Sequence, residues 1–244
     1  MAKKEVATKQ AGAIAERPAF LEGGSGRGSE GVSIDDLVIP RLELIQSLSP
    51  QRKKSAAEYI EGAEEGMGFI TVSNHLFADA ASAGIQIIPV YFRQEFVIWK
   101  DRDSGGGFNG AFATEQAANQ HIIDEGLTEC EVSKTDQQFV LVNTGEGWEE
   151  CVISMARAKL KASRNLNSLV KIAGGDRFSR VYRLNSVEVD GPKGEYYNWK
   201  VAAIGYVDEP AYRQAESLYE SVLAGQKDVA REEPNAAQTV GDSI

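Results

Sequence analysis

ISMARAKLKASRNLNSLVKIAGGDRFSRVYRL, residues 153–184, changes its hydrophobic period twice, and that double change decides the fold class. Its first residues complete the run WEECVISM (148–155), which reads as a strand. From 156 to 173 the apolar residues Leu160, Leu166, Leu169, Val170 and Ala173 recur at near-helical spacing, and Gly174-Gly175 supplies a stop. FSRVYRLNSVEV (178–189) then returns to a period of two. A helix set between strands, in a chain otherwise rich in short strand-like runs, predicts an α+β domain.

Working outward, GPKG (191–194) turns the chain into YYNWKVAAIGY (196–206), which completes a β-hairpin. Asp208, Glu209 and Pro210 open a C-terminal helix at about 209–224. Tyr212, Ala215, Leu218, Tyr219, Val222 and Leu223 form its apolar stripe, and Gly225 is placed to cap it. Upstream, GFITVS (68–73), IQIIPVYF (85–92) and QEFVIWK (94–100) read as strands, and Pro89 puts the second at an edge or a bulge. Residues 101–110, DRDSGGGFNG, read as a Gly-rich loop, and 113–123 as a helix. Residues 129–134 and 137–143 read as a hairpin-like pair, and 54–61 as helical or irregular. The expected architecture is one β-rich domain over 33–225, an antiparallel sheet or a partly open barrel of which an OB-like form is one version. The segment 1–32, with the linker LEGGSGRGSEG (21–31), reads as a disordered arm, and 226–244 as a disordered acidic tail.

The chain has 244 residues and a formal net charge of −10. Such a total discourages nucleic-acid binding only if it is evenly spread, and it is not. Residues 151–183 carry eight bases, Arg157, Lys159, Lys161, Arg164, Lys171, Arg177, Arg180 and Arg183, against the one acid Asp176. Residues 49–57 add Arg52, Lys53 and Lys54 with no acid, whereas residues 58–150 hold 17 acids and four bases. No apolar run is long enough to span a membrane, and the first residues lack the apolar core of a secretory signal. Two cysteines make no disulfide framework, so a reducing host cytoplasm is the expected location.

Enzymatic chemistry finds no support in the residue spacing. His75, His121, Cys130 and Cys151 lie 46, 9 and 21 residues apart, unlike any zinc motif. No Walker sequence is present, GGDRFSR follows a helix where a phosphate loop should follow a strand, and Ser104-Gly-Gly-Gly is no nucleophile elbow. Neighbouring carboxylates such as Glu149 and Glu150 diverge on a strand. No cofactor, metal or enzyme activity is expected.

Binding chemistry is better represented. Arg157, Lys161 and Arg164 share one helical face, and aromatic rings interleave with cations along the strands. Sheet rings that stack bases, beside cations that follow phosphates, suit a single strand better than a duplex. The expected groove is lined by Arg52, Lys53, Lys54, Arg93, Lys100, Arg157, Lys159, Lys161, Arg164, Lys171, Arg177, Arg180, Arg183 and Lys200. Phe96, Trp99, Tyr182, Tyr197 and Trp199 are the stacking candidates, of which strand alternation sends about half into the core.

The blocks IPRLELIQSLSPQ (39–51), EYIEGAEEGMGFITVSN (58–74) and IQIIPVYFRQEFVIWKDRDSGGGF (85–108) resemble a group of bacteriophage single-stranded DNA-binding proteins. So do LKASRNLNSLV (160–170), FSRVYRL (178–184) and KGEYYNWKV (193–201). The group includes the transcription cofactors of N4-related phages. The resemblance covers roughly 33–206. It implies non-sequence-specific binding of single-stranded DNA in phage replication, recombination or transcription, a homo-oligomer, and a phage RNA polymerase or replication proteins as partners. The alternatives are a transcription cofactor acting mainly by binding a phage RNA polymerase, and a virion structural protein.

Overall fold

The computed structural model describes residues 39–101, 104–191 and 194–229, together with Gly28. The expected arm at 1–32, all but Gly28, lies outside the described residues, as does the tail from 230 onward. Contacts divide the chain into Met1–Leu37 and Val38–Ile244, and the second unit holds the fold.

Among the described residues, nine strands and three α-helices build it. The strands are β1 Leu42–Leu44, β2 Gly68–Ile70, β3 Leu76–Phe77, β4 Ile85–Lys100, β5 Phe108–Phe112, β6 Cys130–Asn143, β7 Trp148–Ala156, β8 Arg180–Gly191 and β9 Gly194–Tyr206. The helices are α1 Glu115–Asp124, α2 Leu160–Ala173 and α3 Glu209–Leu223. The main sheet runs β7-β6-β4-β8-β9 with β5 attached to β4, and every pairing in it is antiparallel. β1, β2 and β3 form a second, smaller sheet. This is the expected α+β class, with open rather than closed sheets.

Two readings change. IQIIPVYF and QEFVIWK are one strand, β4, at the centre of the sheet. Pro89 is absorbed there by a register shift between Pro89 and Tyr91, the bulge rather than the edge solution. The expected hairpin at 129–143 is also one strand, β6. Thr135 and Asp136 looked like turn residues, but both are buried inside the sheet. Of the two forms expected for 54–61, the structure has the irregular one, a series of turns. The basic helix starts later than expected, because Arg157–Lys159 make a 3-10 turn and Arg157 has a left-handed φ of 51°.

Both faces of the main sheet are covered. On one, Ile85, Ile87, Val140, Val142, Ile153, Met155, Tyr182, Leu184, Trp199 and Val201 pack against Ala162 and Leu166 of α2 and against Leu42, Leu44 and Ile70 of the small sheet. On the other, Ile88, Val90, Phe139, Leu141 and Val152 meet Ala211, Ala215, Leu218 and Val222 of α3. The two sides are the α2 face and the α3 face below. Burying such side chains contributes roughly 1.5–3 kcal/mol each before entropy is counted.

The strand margins are occupied. The Val152 amide of β7 donates to the Pro40 carbonyl at 2.8 Å. At β9 the Gln46 side chain makes two bonds to one residue: its Nε2 donates to the Tyr197 carbonyl at 2.9 Å, and its Oε1 accepts the Tyr197 amide at 2.8 Å. The last described residues are tied to the sheet. Lys227 pairs with Glu150, Asp228 with Arg93, and buried Val229 bridges to Ile39.

The two thiols differ. Cys151 is buried in the core, and burial raises its pKa, helped by Glu149 and Glu150; Cys130 is half-buried. Burial likewise raises the pKa of the Tyr182 phenol. Ellman's reagent is therefore expected to titrate one thiol in the native chain and two in denaturant; two fast-reacting native thiols would contradict the packing. Both groups hold their protons more tightly folded than unfolded. Their stabilisation is complete below the ordinary values of 9.0 and 10.0 and is lost as pH rises through and above them.

Candidate nucleic-acid interface

α2 has a clean division of faces because its sequence contains no acid and alternates small or apolar residues with cations at helical spacing. Ala162, Ser163 and Leu166 point inward. Lys161, Arg164, Asn165, Ser168, Lys171 and Ile172 are exposed, and their spacing puts them on one outer face. None of Lys161, Arg164 and Lys171 forms an ion pair among the described residues. Arg164 Nε donates back to the Leu160 carbonyl at 3.3 Å, and Ser168 to the Arg164 carbonyl at 2.8 Å. Ile172, the penultimate residue of α2, is 83% exposed at the C-terminal end of this surface.

A polar network fixes the helix to the sheet. Ser163 Oγ donates to Asp136 Oδ2 at 2.6 Å, and Gln138 Nε2 donates to Ser163 Oγ at 2.9 Å and to Asn167 Oδ1 at 3.3 Å. Arg177, just after the helix, donates to Gln138 Oε1 at 2.5 Å and to Asn167 Oδ1 at 2.7 Å. Its guanidinium also lies 5.7 Å from the centre of the Phe92 ring. Burial lowers the Arg177 pKa to about 10.

Register places a row of rings beside the helix. Phe92 lies opposite Gln138, Gln94 opposite Asp136, and Phe96 opposite Lys134 on one side and Phe112 on the other. Because Asp136 and Gln138 meet α2, alternation assigns Phe92, Gln94, Phe96, Phe112 and Lys134 to the α2 face. The three phenyl rings are half-buried, and Lys134 is exposed. Phe112 packs on His121 of α1 at 4.9 Å between centroids.

The expected groove does not survive as one surface. Tyr182 and Trp199 are 1% and 4% exposed and belong to the core. Tyr197 packs partly against that core, and its ring occupies the space beside Gly66, where a Cβ would sit 2.7 Å from it at a φ of +82°. Trp99 is 38% exposed but stands on the α3 face, edge-on to Phe108. Arg183 and Lys200 alternate with the core residues Tyr182, Leu184, Trp199 and Val201, and so also point away from α2.

Several cations are already engaged. Arg93 lies 2.8 Å from Glu95, pairs with Asp228 and sits over Phe139. Arg52 pairs with Glu65 at 3.1 Å, and Arg157 with Glu131 at 2.8 Å. Arg180 stacks on Tyr206 at 4.3 Å and donates to its hydroxyl at 2.6 Å. Burial lowers the Lys159 pKa, with Glu43 opposing. Lys53 and Lys54 are exposed on the loop after a short 3-10 turn, and Lys100 closes β4. Of the expected set, Lys161, Arg164, Lys171 and Arg177 lie on or beside α2, and alternation puts Phe96 and Lys100 on the same side of the sheet. Phe92, Phe112 and Lys134 were not among the expected residues; the i, i+4 spacing of Phe92 and Phe96 marks them once β4 is one strand.

Among the described residues no group of three or more His, Cys, Asp and Glu is placed to hold a metal, and no helix is long and apolar enough to cross a membrane. No curated protein and no solved structure matches the chain. One family model matches residues 7–228, and on that span the chain belongs to a bacteriophage family, the Pam3 phage gp34-like proteins.

Proposed function

We propose that this phage protein binds single-stranded DNA without sequence preference, through the outer face of α2 and the phenyl row beside it. The observation that carries the reading is the acid-free outer face of α2, with three cations that make no ion pair among the described residues. Phosphates are held by Lys161, Arg164 and Lys171, helped by the amide of Asn165. Bases stack on Phe92 and Phe96, with Lys134 alongside; half-buried rings keep part of their surface available. Arg177 orients this surface by holding Phe92 and α2 together. The acidic remainder of the chain repels duplex at long range, so contact depends on this strip.

Fluorescence anisotropy with a labelled oligothymidylate and a matched duplex tests the proposal. Binding should favour the single strand and weaken as salt rises. Lys161→Glu/Arg164→Glu/Lys171→Glu should weaken it about a hundredfold at low salt and lower the salt slope by about 2, since each phosphate contact on a single strand contributes roughly 0.7. An unchanged affinity in that variant, or equal affinity for duplex, would sink the reading.

A further inference from the structure

The α3 face carries a cavity, separated from α2 by the sheet. Val97, Trp99 and Phe108 stand around about 70 Å³ of space with Thr135, Gln137 and Ser154, and Arg41 lies beside them. Trp99 and Phe108 meet edge-to-face at 6.0 Å and 71°, and Trp99 is 38% exposed. The polar side is partly committed. Gln137 Oε1 accepts from Ser154 Oγ at 2.7 Å, and Gln137 Nε2 donates to Glu95 Oε2 at 3.2 Å. The other Glu95 oxygen lies 2.8 Å from Arg93, so the buried carboxylate is already neutralised. An amide nitrogen has two hydrogens and a hydroxyl oxygen two lone pairs. One Gln137 N–H and lone pairs on Ser154 and Thr135 therefore remain to face a ligand.

The geometry points to a site for a single nucleobase. Holding one water takes roughly 10–15 Å³ of such space, so the cavity takes about five, the volume of one purine or pyrimidine and not of a whole nucleotide. The walls suit a planar ring, and a donor beside acceptors matches the edge of a base, which also sets donors and acceptors side by side. A plain hydrocarbon ring would leave those polar groups unpaired, which is costly. The base comes either from a free nucleoside or from a strand whose nucleotide turns out of its stack. This site stands apart from the reading of α2 and can fail or succeed without it.

Ligand-observed NMR titration of the full chain with adenosine, cytidine, thymidine and toluene, and with a short oligothymidylate, decides it. Trp99→Ala should weaken base binding at least tenfold, and Thr135→Val several-fold. The second variant keeps the shape of the cavity and serves if the first unfolds. The triple charge reversal on α2 should leave nucleoside binding unchanged. Nucleosides that bind with these sensitivities identify a free nucleoside as the source. An oligonucleotide affected by Trp99→Ala, without nucleoside binding, identifies a strand. If neither probe loses affinity in either variant, or toluene binds as tightly as the nucleosides, the proposal is overturned.

Discussion

Trp199→Ala should lower the free energy of unfolding by about 3–5 kcal/mol, roughly 6–20 °C in melting temperature for a chain of this size. Trp99→Ala, by contrast, should cost about 1 kcal/mol or less, in the range of substitutions outside the core. The difference follows from packing. Trp199 is 4% exposed and lies in the cluster shared by β4, β6, β7 and β8, under α2 and the small sheet. Removing its indole leaves a hole among Ile, Leu and Val side chains that close packing cannot refill. Urea denaturation of the two variants is the measurement. A stable, folded Trp199→Ala chain that loses DNA binding would return this ring to the surface and contradict the core assignment.

Arg177→Ala should destabilise by about 2–4 kcal/mol, while conservative changes of the exposed cation Lys171 should be nearly neutral. The guanidinium supplies two charge-assisted bonds, to Gln138 and Asn167, each worth roughly 1.5–3 kcal/mol. Burial subtracts from that gain, as the fall of its pKa to about 10 shows. The sign for pH runs opposite to that of Cys151 and Tyr182. A buried base with a lowered pKa is penalised while charged, and the penalty fades as pH rises through about 10 toward 12.5. Arg177→Ala should therefore weaken DNA binding only by loosening α2 and Phe92, and its salt slope should match that of the unaltered chain. A reduced slope would make Arg177 a phosphate ligand.

The element order was legible in the sequence wherever a period ran long enough. The strand-helix-strand unit around α2, the β8–β9 hairpin and α3 with its Asp208 cap all follow from spacing and punctuation. The joins failed where polar residues lie inside a long strand. Thr135, Asp136, Gln137 and Gln138 are a buried polar run, and in a sequence such a run is indistinguishable from a turn. That same run anchors α2 and floors the cavity on the α3 face, so the missed strand and the missed site have one cause. Charge density correctly singled out α2 as a basic helix. It did not show that Arg93 and Arg52 meet carboxylates distant in sequence, because ion pairing is a property of the folded neighbourhood. Ring assignment needed register, since alternation decides which of two adjacent aromatics faces inward only after the strand is in place.

The Gln46 amide, bonded to both backbone groups of Tyr197, has a consequence for the chain at high copy number. An outer strand with unpaired amides and carbonyls is a template on which another copy can add itself, and repeated addition makes fibres. At β9 that template is interrupted by a side chain that imitates a strand one residue long, and the Trp199 amide beside it is turned to the Asn198 side chain at 2.8 Å. The chain thus carries its own terminator of sheet growth at β9, and a single amide on the loop after β1 supplies it.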